Sequence, residues 1–295
     1  MNSQNTALSR RTFLGGAATL AASSMMPGFA RAETAAKPNS RFNGVQIGVI
    51  TYSYRSLPGS AEDILKYVVQ CGISSIELMD GPAVGYAKKV NPADDPQSME
   101  GFKQLRKMYN DAGVNIHIVK FPRIGDSKMS DEQIDFCFEV AKALGATGIT
   151  REMSESTAKR LGPFADKHEI MIGFHNHTQL KPTTYDGPML SHGKYLGINL
   201  DIGHYMAGTG LSAIPLIEKH KDRIISLHLK DRMKNNGPNK PFGEGDTPVA
   251  EVLQYMKKEG LTFPADIELE YGIPSGSNAV TEVTRCVQYC KKALA

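Results

Sequence analysis

Four short apolar runs in this chain each close on side chains that can bind a metal ion or carry a proton. His175 and His177 stand in MIGFHNHT, Asp201 and His204 in LGINLDIGHY, His228 in IISLHLKD, and Glu268 and Glu270 in ADIELEYG. Imidazoles and carboxylates converging from neighbouring strand ends can make a divalent-metal site. Mixed nitrogen and oxygen donors suit Mn²⁺, Co²⁺ or Zn²⁺ better than Ca²⁺, because neutral imidazole is the softer ligand. A cation held this way polarises a carbonyl, acidifies the adjacent C–H and stabilises the enediolate left by proton loss.

A base must then move that proton, and the candidates are Glu270, Glu77 and whichever of His175 and His177 is not a ligand. Glu268 and Glu270 are two apart, so on a strand they point to one side, and one can bind metal while the other handles a proton. Lys230 shares a face with His228 and suits oxyanion stabilisation. Lys120, at the end of another predicted strand, is assigned to substrate contact. His117 and His192 read as structural. Asp231 and Arg232 read as a rim salt bridge, and Glu152, between Arg151 and Glu155, as a surface turn.

These residues need a scaffold that brings separate strand ends to one face. Strand-like runs are predicted at 45–54, 74–79, 115–121, 146–152, 170–177, 196–204, 224–230 and 265–271, with helical periodicity between them. Ser60 and Ser130 precede helical segments as caps, and Gly72 and Gly145 follow them as stops. Eight strand–helix units predict one closed (β/α)₈ barrel, whose active sites form at the carboxyl ends of the strands. The alternative, an open doubly wound sheet, normally carries GxGxxG or GxxxxGK[ST] after a strand, and neither motif is present. The stretch Arg232 to Thr247, with three glycines and two prolines, predicts a lid over the site. Glu244 within it is assigned to substrate contact.

The first 32 residues differ in kind. Arg10 and Arg11 precede Phe13 and Leu14, a small-residue apolar stretch follows, and Ala30-Arg31-Ala32 ends it. This predicts a twin-arginine export signal cleaved before Glu33, and hence a periplasmic protein. Residues 33–42 read as a polar linker and 43–295 as the barrel. Without the three arginines of the leader the 34 basic residues fall to 31, equal to the 31 acidic ones. That balance argues against nucleic-acid binding and against a membrane surface as partner once the signal is removed. Cys71, Cys137, Cys286 and Cys290 fall on predicted helices without a CxxC pattern, which predicts buried packing.

HNH at 175–177, DIGH at 201–204, HLKD at 228–231, GEGD at 243–246 and IELEY at 267–271 resemble the xylose-isomerase-like barrels called sugar phosphate isomerases/epimerases. The resemblance runs from IELMDG at 76–81 to the last helix. It implies one divalent cation (Mn²⁺, Mg²⁺, Co²⁺ or Zn²⁺), a small carbohydrate substrate, and barrels that often pair through their faces, so a homo-oligomer is one option. It places Asp201, His228 and Glu268 among the metal ligands and His204 at the substrate. Epimerases of the family carry a ligand Glu at the end of the fifth strand, where this chain has His175 and His177. His177 is taken as the replacement ligand because it lies nearer the carboxyl end, which leaves His175 to the substrate. The expected function is a metal-dependent isomerase or epimerase that abstracts a proton next to a carbonyl of a keto-sugar or polyol. The alternatives are a 3-keto-glycoside lyase or hydratase with the same chemistry and a non-catalytic carbohydrate-binding barrel. An endonuclease on this fold would need a basic face that a neutral chain lacks.

Overall fold

The computed structural model describes residues 37–295, so the predicted export signal lies outside the described residues. Eight parallel strands form a closed ring: β2 (Val45–Ile50), β3 (Ser75–Met79), β4 (Asn115–Lys120), β5 (Gly148–Glu152), β6 (Met171–His175), β7 (Leu196–Asp201), β8 (Ile224–Leu229) and β11 (Ala265–Ile267). Each pairs with the next, and β11 pairs back to β2. All eight strands predicted from sequence are present, though several stop short of the predicted carboxyl end. In the stretch expected as linker, β1 (Arg41–Phe42) pairs antiparallel with β2, and Ser40 is buried against Ile47 and Ser74.

Between the strands run helices with local reasons to begin and end. In the helix Asp131–Leu144, the Ser130 hydroxyl accepts from the Gln133 N–H while the Gln133 side-chain oxygen accepts from the Ser130 N–H, and Gly145 stops the helix at φ +73°. A side chain at Gly145 would also meet the Arg106 guanidinium. The four cysteines are free and buried, as expected from helix packing. Among the described residues no helix is long and apolar enough to cross a membrane.

Parallel strands in a barrel are buried on both faces, and here the outward face is apolar while the interior is strongly polar. Ile225 meets Gly148, Gly173 and Gly197 at one end. Above it Ser75 and Asp266 clasp His117 at 2.8 and 2.9 Å, so His117 is structural as predicted. The next layer holds Glu77, Thr150, Asn199, Ser226 and His228, all fully buried. Burying that many polar groups is tolerable only where they satisfy one another.

Candidate metal centre and active site

Period-2 alternation delivers Asn199 and Asp201 from β7, Ser226 and His228 from β8, and Asp266 from β11 to the barrel interior, and Lys230 just past β8 and Glu268 and Glu270 just past β11 continue the same direction. Asp201 ends its strand and caps α6 (Ile202–Thr209): Oδ1 accepts from the His204 N–H, and this turns Oδ2 toward the barrel axis. Asn176 ties the end of β6 to the same point, accepting from the Asp201 N–H at 2.9 Å and donating to the Asp201 carbonyl at 3.1 Å.

His228 is held between two carboxylates, Glu77 at 2.9 Å and Glu268 at 3.1 Å. Burial alone would lower its pKa, but these two charges outweigh burial and push it up to about 10. Burial would raise Glu77 and Glu268, yet His228 for the first and Lys230 with His228 for the second hold both carboxyls low. Lys230 is 1% exposed, and its ammonium lies 3.0 Å from Asp201, 2.8 Å from Glu268 and 2.7 Å from Glu270. Those carboxylates keep it charged in spite of burial.

His175 behaves in the opposite way. Burial and then the charges of Lys120 and His228 hold its pKa well below the ordinary histidine value, so it is neutral. Its Nδ1 meets the Asn199 amide oxygen at 2.7 Å. That oxygen can only accept, so Nδ1 carries the proton and Nε2 offers a lone pair. A second partner that fixes tautomer and ring orientation is the usual support of a metal-binding imidazole.

Ligand atoms of His175, Asp201, His228 and Glu268 lie within 4.8 Å of one another. The cation implied by the fold fits this set on two observations: the free lone pair of His175, and a buried Asp201 Oδ2 that makes no hydrogen bond despite the ammonium nearby. The fifth-strand member of the quartet is therefore His175, where His177 was expected. His177 follows the end of β6, its side chain is 55% exposed, and it ion-pairs with Glu152 at 3.1 Å. It belongs to an overlapping cluster with His175 and His204.

A cavity of about 240 Å³ opens over the quartet and is lined by Lys120, Glu152, His175, His177, His204, Lys230, Glu268 and Glu270. Seven predicted site residues thus share one cavity, with Asp201 and His228 fully buried behind it. Glu152, read from sequence as a surface turn, is the main omission. It takes Lys120 at 3.1 Å as well as His177, and although burial opposes this, the two cations hold its carboxyl down to about 2. Its spacing from Thr150, which donates to Glu77 at 2.6 Å, carried the inward signal. His204 sits between Lys230 at 2.9 Å and Arg232 at 2.7 Å. A neutral imidazole has one lone pair, so only one of these cations donates to it at a time.

Four expectations are corrected: the roles of Glu77 and Glu244, the Asp231–Arg232 salt bridge and the lid. Glu77 is fully buried under His228 and does not reach the cavity, so it orients His228 and is not a base. Glu244 lines a different cavity with Phe242, Tyr271 and Tyr289. The reason is Asp231, which forms no rim salt bridge. Its carboxylate accepts the N–H groups of Gly243, Gly245 and Thr247 and folds the 232–247 segment back, with a small hairpin of β9 (Asp231–Arg232) and β10 (Asn239–Lys240). Pinned this way, the segment is not a free lid. A larger cavity, about 550 Å³ beside Phe121, Arg123 and Phe136, contains none of the clustered ligands.

The family model described as xylose isomerase-like TIM barrel matches residues 65–288. No curated protein matches. Among solved structures, a probable 3-DHS dehydratase AsbF from Bacillus anthracis is similar at 16% identity with a TM-score of 0.64, the overlap covering 83% of this chain and 98% of that one. A sugar phosphate isomerase/epimerase from Parabacteroides distasonis shows 19% identity and a TM-score of 0.59, over 88% and 97% of the two chains. A D-tagatose 3-epimerase-like protein shows 18% identity and a TM-score of 0.60, over 85% and 98%. At these identities the likeness establishes the fold.

Proposed function

Because this chain belongs to the xylose isomerase-like TIM barrel family, we propose that it is a metal-dependent isomerase or epimerase that moves a proton next to the carbonyl of a keto-sugar or polyol. The observation that carries this reading is that one small cavity contains two separate proton-carrying groups, Glu270 and the Glu152–His177 pair, around a neutral His175 and buried carboxylates. His175, Asp201, Glu268 and His228, the last giving up one of the protons its two carboxylate neighbours hold on it, would hold the cation (Mn²⁺, Co²⁺, Zn²⁺ or Mg²⁺), which when bound supplies Lewis acidity toward the substrate carbonyl.

The chain's own residues do the rest. Glu270, beside Lys230, removes the proton from the carbon next to the carbonyl. The Lys230 and Lys120 ammonium groups face the oxygen on which negative charge develops, in a site where burial strengthens the attraction. His177, whose pKa its bond to Glu152 raises, returns a proton. Return from a second group to the other face inverts the carbon, which is epimerisation. Mass spectrometry after incubation of the metal-loaded protein with ketoses in D₂O tests this. One deuterium gained at constant composition supports the reading, and no exchange with any ketose refutes it.

A lyase acting on a 3-keto-glycoside is the second reading, favoured by a further cavity that adjoins the first at Glu270. Here the C2 proton passes to Glu270, the C–H electron pair becomes a C1–C2 double bond, the C1–O bond breaks, and the aglycone oxygen takes up a proton. Release of the aglycone would identify it. If the export signal predicted for residues 1–32 operates, either activity would lie in the periplasm, and cell fractionation tests that.

A further inference from the structure

The cavity over the quartet is small for a ligand site, about 240 Å³ against the roughly 300–1,000 Å³ common for such sites. It does not end blindly. Glu270 also lines a neighbouring cavity of about 290 Å³, whose other walls include Ser53, Arg55, Ser56 and Ile273. Tyr52, on the turn Thr51–Tyr54 that follows β2, lines the first cavity and stacks against Arg55 of the second. Four large hydrophobic side chains are exposed among the described residues, Tyr52, Val69, Val90 and Leu211, and Tyr52 is the only aromatic one. Its ring lies 4.6 Å from the Arg55 guanidinium, which donates to the Leu269 carbonyl at 2.7 Å and the Tyr52 carbonyl at 3.3 Å. The two backbone bonds fix the guanidinium at its place, so the flat pair is preorganised rather than loose.

An exposed aromatic face at the edge of a cavity offers a flat, largely apolar surface on which a ligand can pack. A pyranose ring has that shape: C–H bonds on its faces and hydroxyls around its edge. The second cavity supplies partners for those hydroxyls in Arg55, Ser56 and Glu270. We propose that this cavity binds a second sugar ring, so that the substrate is a glycoside or disaccharide with its linkage beside Glu270. The proposal rests on the reading of the first cavity as the keto-sugar site, and it narrows the substrate class from free sugars to two-ring compounds.

Saturation-transfer NMR titrations of the full chain with D-glucose, cellobiose, maltose and trehalose test it, on wild type, Arg55→Met and Ser56→Trp. Arg55 and Ser56 are exposed and line only the second of these two cavities, so both variants should fold. At least one disaccharide should bind about tenfold more tightly than glucose to the wild type, and that ratio should fall at least about fivefold in both variants. Disaccharides no tighter than glucose, or a ratio that neither variant moves, overturn the proposal. Deuterium exchange into D-fructose and into the keto-disaccharide isomaltulose is measured alongside. Its absence from both with the affinity ratio intact would remove the proton-transfer reading and leave the second subsite standing.

Discussion

Lys230→Met removes the charge on which the apo site depends, at nearly constant side-chain volume. The ammonium contacts Asp201, Glu268 and Glu270 at 2.7 to 3.0 Å and is 1% exposed. Breaking a buried ion pair by deleting one partner costs about 3–5 kcal/mol, because the remaining charge is left unpaired in a poor solvent. Glu270, whose side chain is 24% exposed, can turn to water, so the lower half of that range is expected. For a domain of this size about 1 kcal/mol shifts Tm by roughly 2–4 °C, which gives a fall on the order of 10 °C. Circular-dichroism melts in EDTA read this directly. Titrated Mn²⁺ should then recover more Tm in the variant than in the wild type, since Asp201 and Glu268 no longer share themselves with an ammonium. A variant that melts in EDTA within about 2 °C of wild type would refute the claim that Lys230 neutralises these carboxylates.

Three further outcomes are expected. His175→Ala should weaken Mn²⁺ binding by about 100-fold or more, and His177→Ala by under about threefold, in isothermal titration; equal losses would return His177 to the ligand set. Asp231→Ala should cost about 2 kcal/mol and speed limited proteolysis between Met233 and Pro248, since three backbone N–H groups lose their acceptor; an unchanged cleavage rate would show that the segment is held by other means. Burial would raise the Glu282 carboxyl, but bonds from Ser277, Tyr271 and Arg285 hold it below the usual glutamate range. Its stabilisation is therefore present above the ordinary glutamate pKa and lost as pH falls through the lowered folded value, so Glu282→Gln should flatten the drop in Tm between about pH 5 and pH 3; a drop as steep as in wild type would contradict this.

Much of the architecture is a local property and is written in the sequence. The Ser130–Gln133 cap and the Gly145 stop concern neighbours in the chain, and a two-residue spacing at and just past the ends of β8 and β11 puts His228 with Lys230 and Glu268 with Glu270 on one side. Spacing does not say which of two such side chains is the ligand. β6 ends at His175, and His177 beyond it enters the same cavity but lies at its exposed mouth paired with Glu152, so only the folded chain assigns the quartet. Nor do spacing rules see which charges meet across the barrel. Glu77 and His228 are 151 residues apart, and their contact turns a candidate base into a buried support. Glu152 enters the site through Lys120 and His177, and Glu244 leaves it because Asp231 folds its segment away. The sequence by itself determined the barrel and the types of residue at its mouth, since these follow from periodicity and capping over a few residues. Tertiary structure decided which of them meet, because ring closure and the neutralisation of buried charge are set by strands distant in the chain.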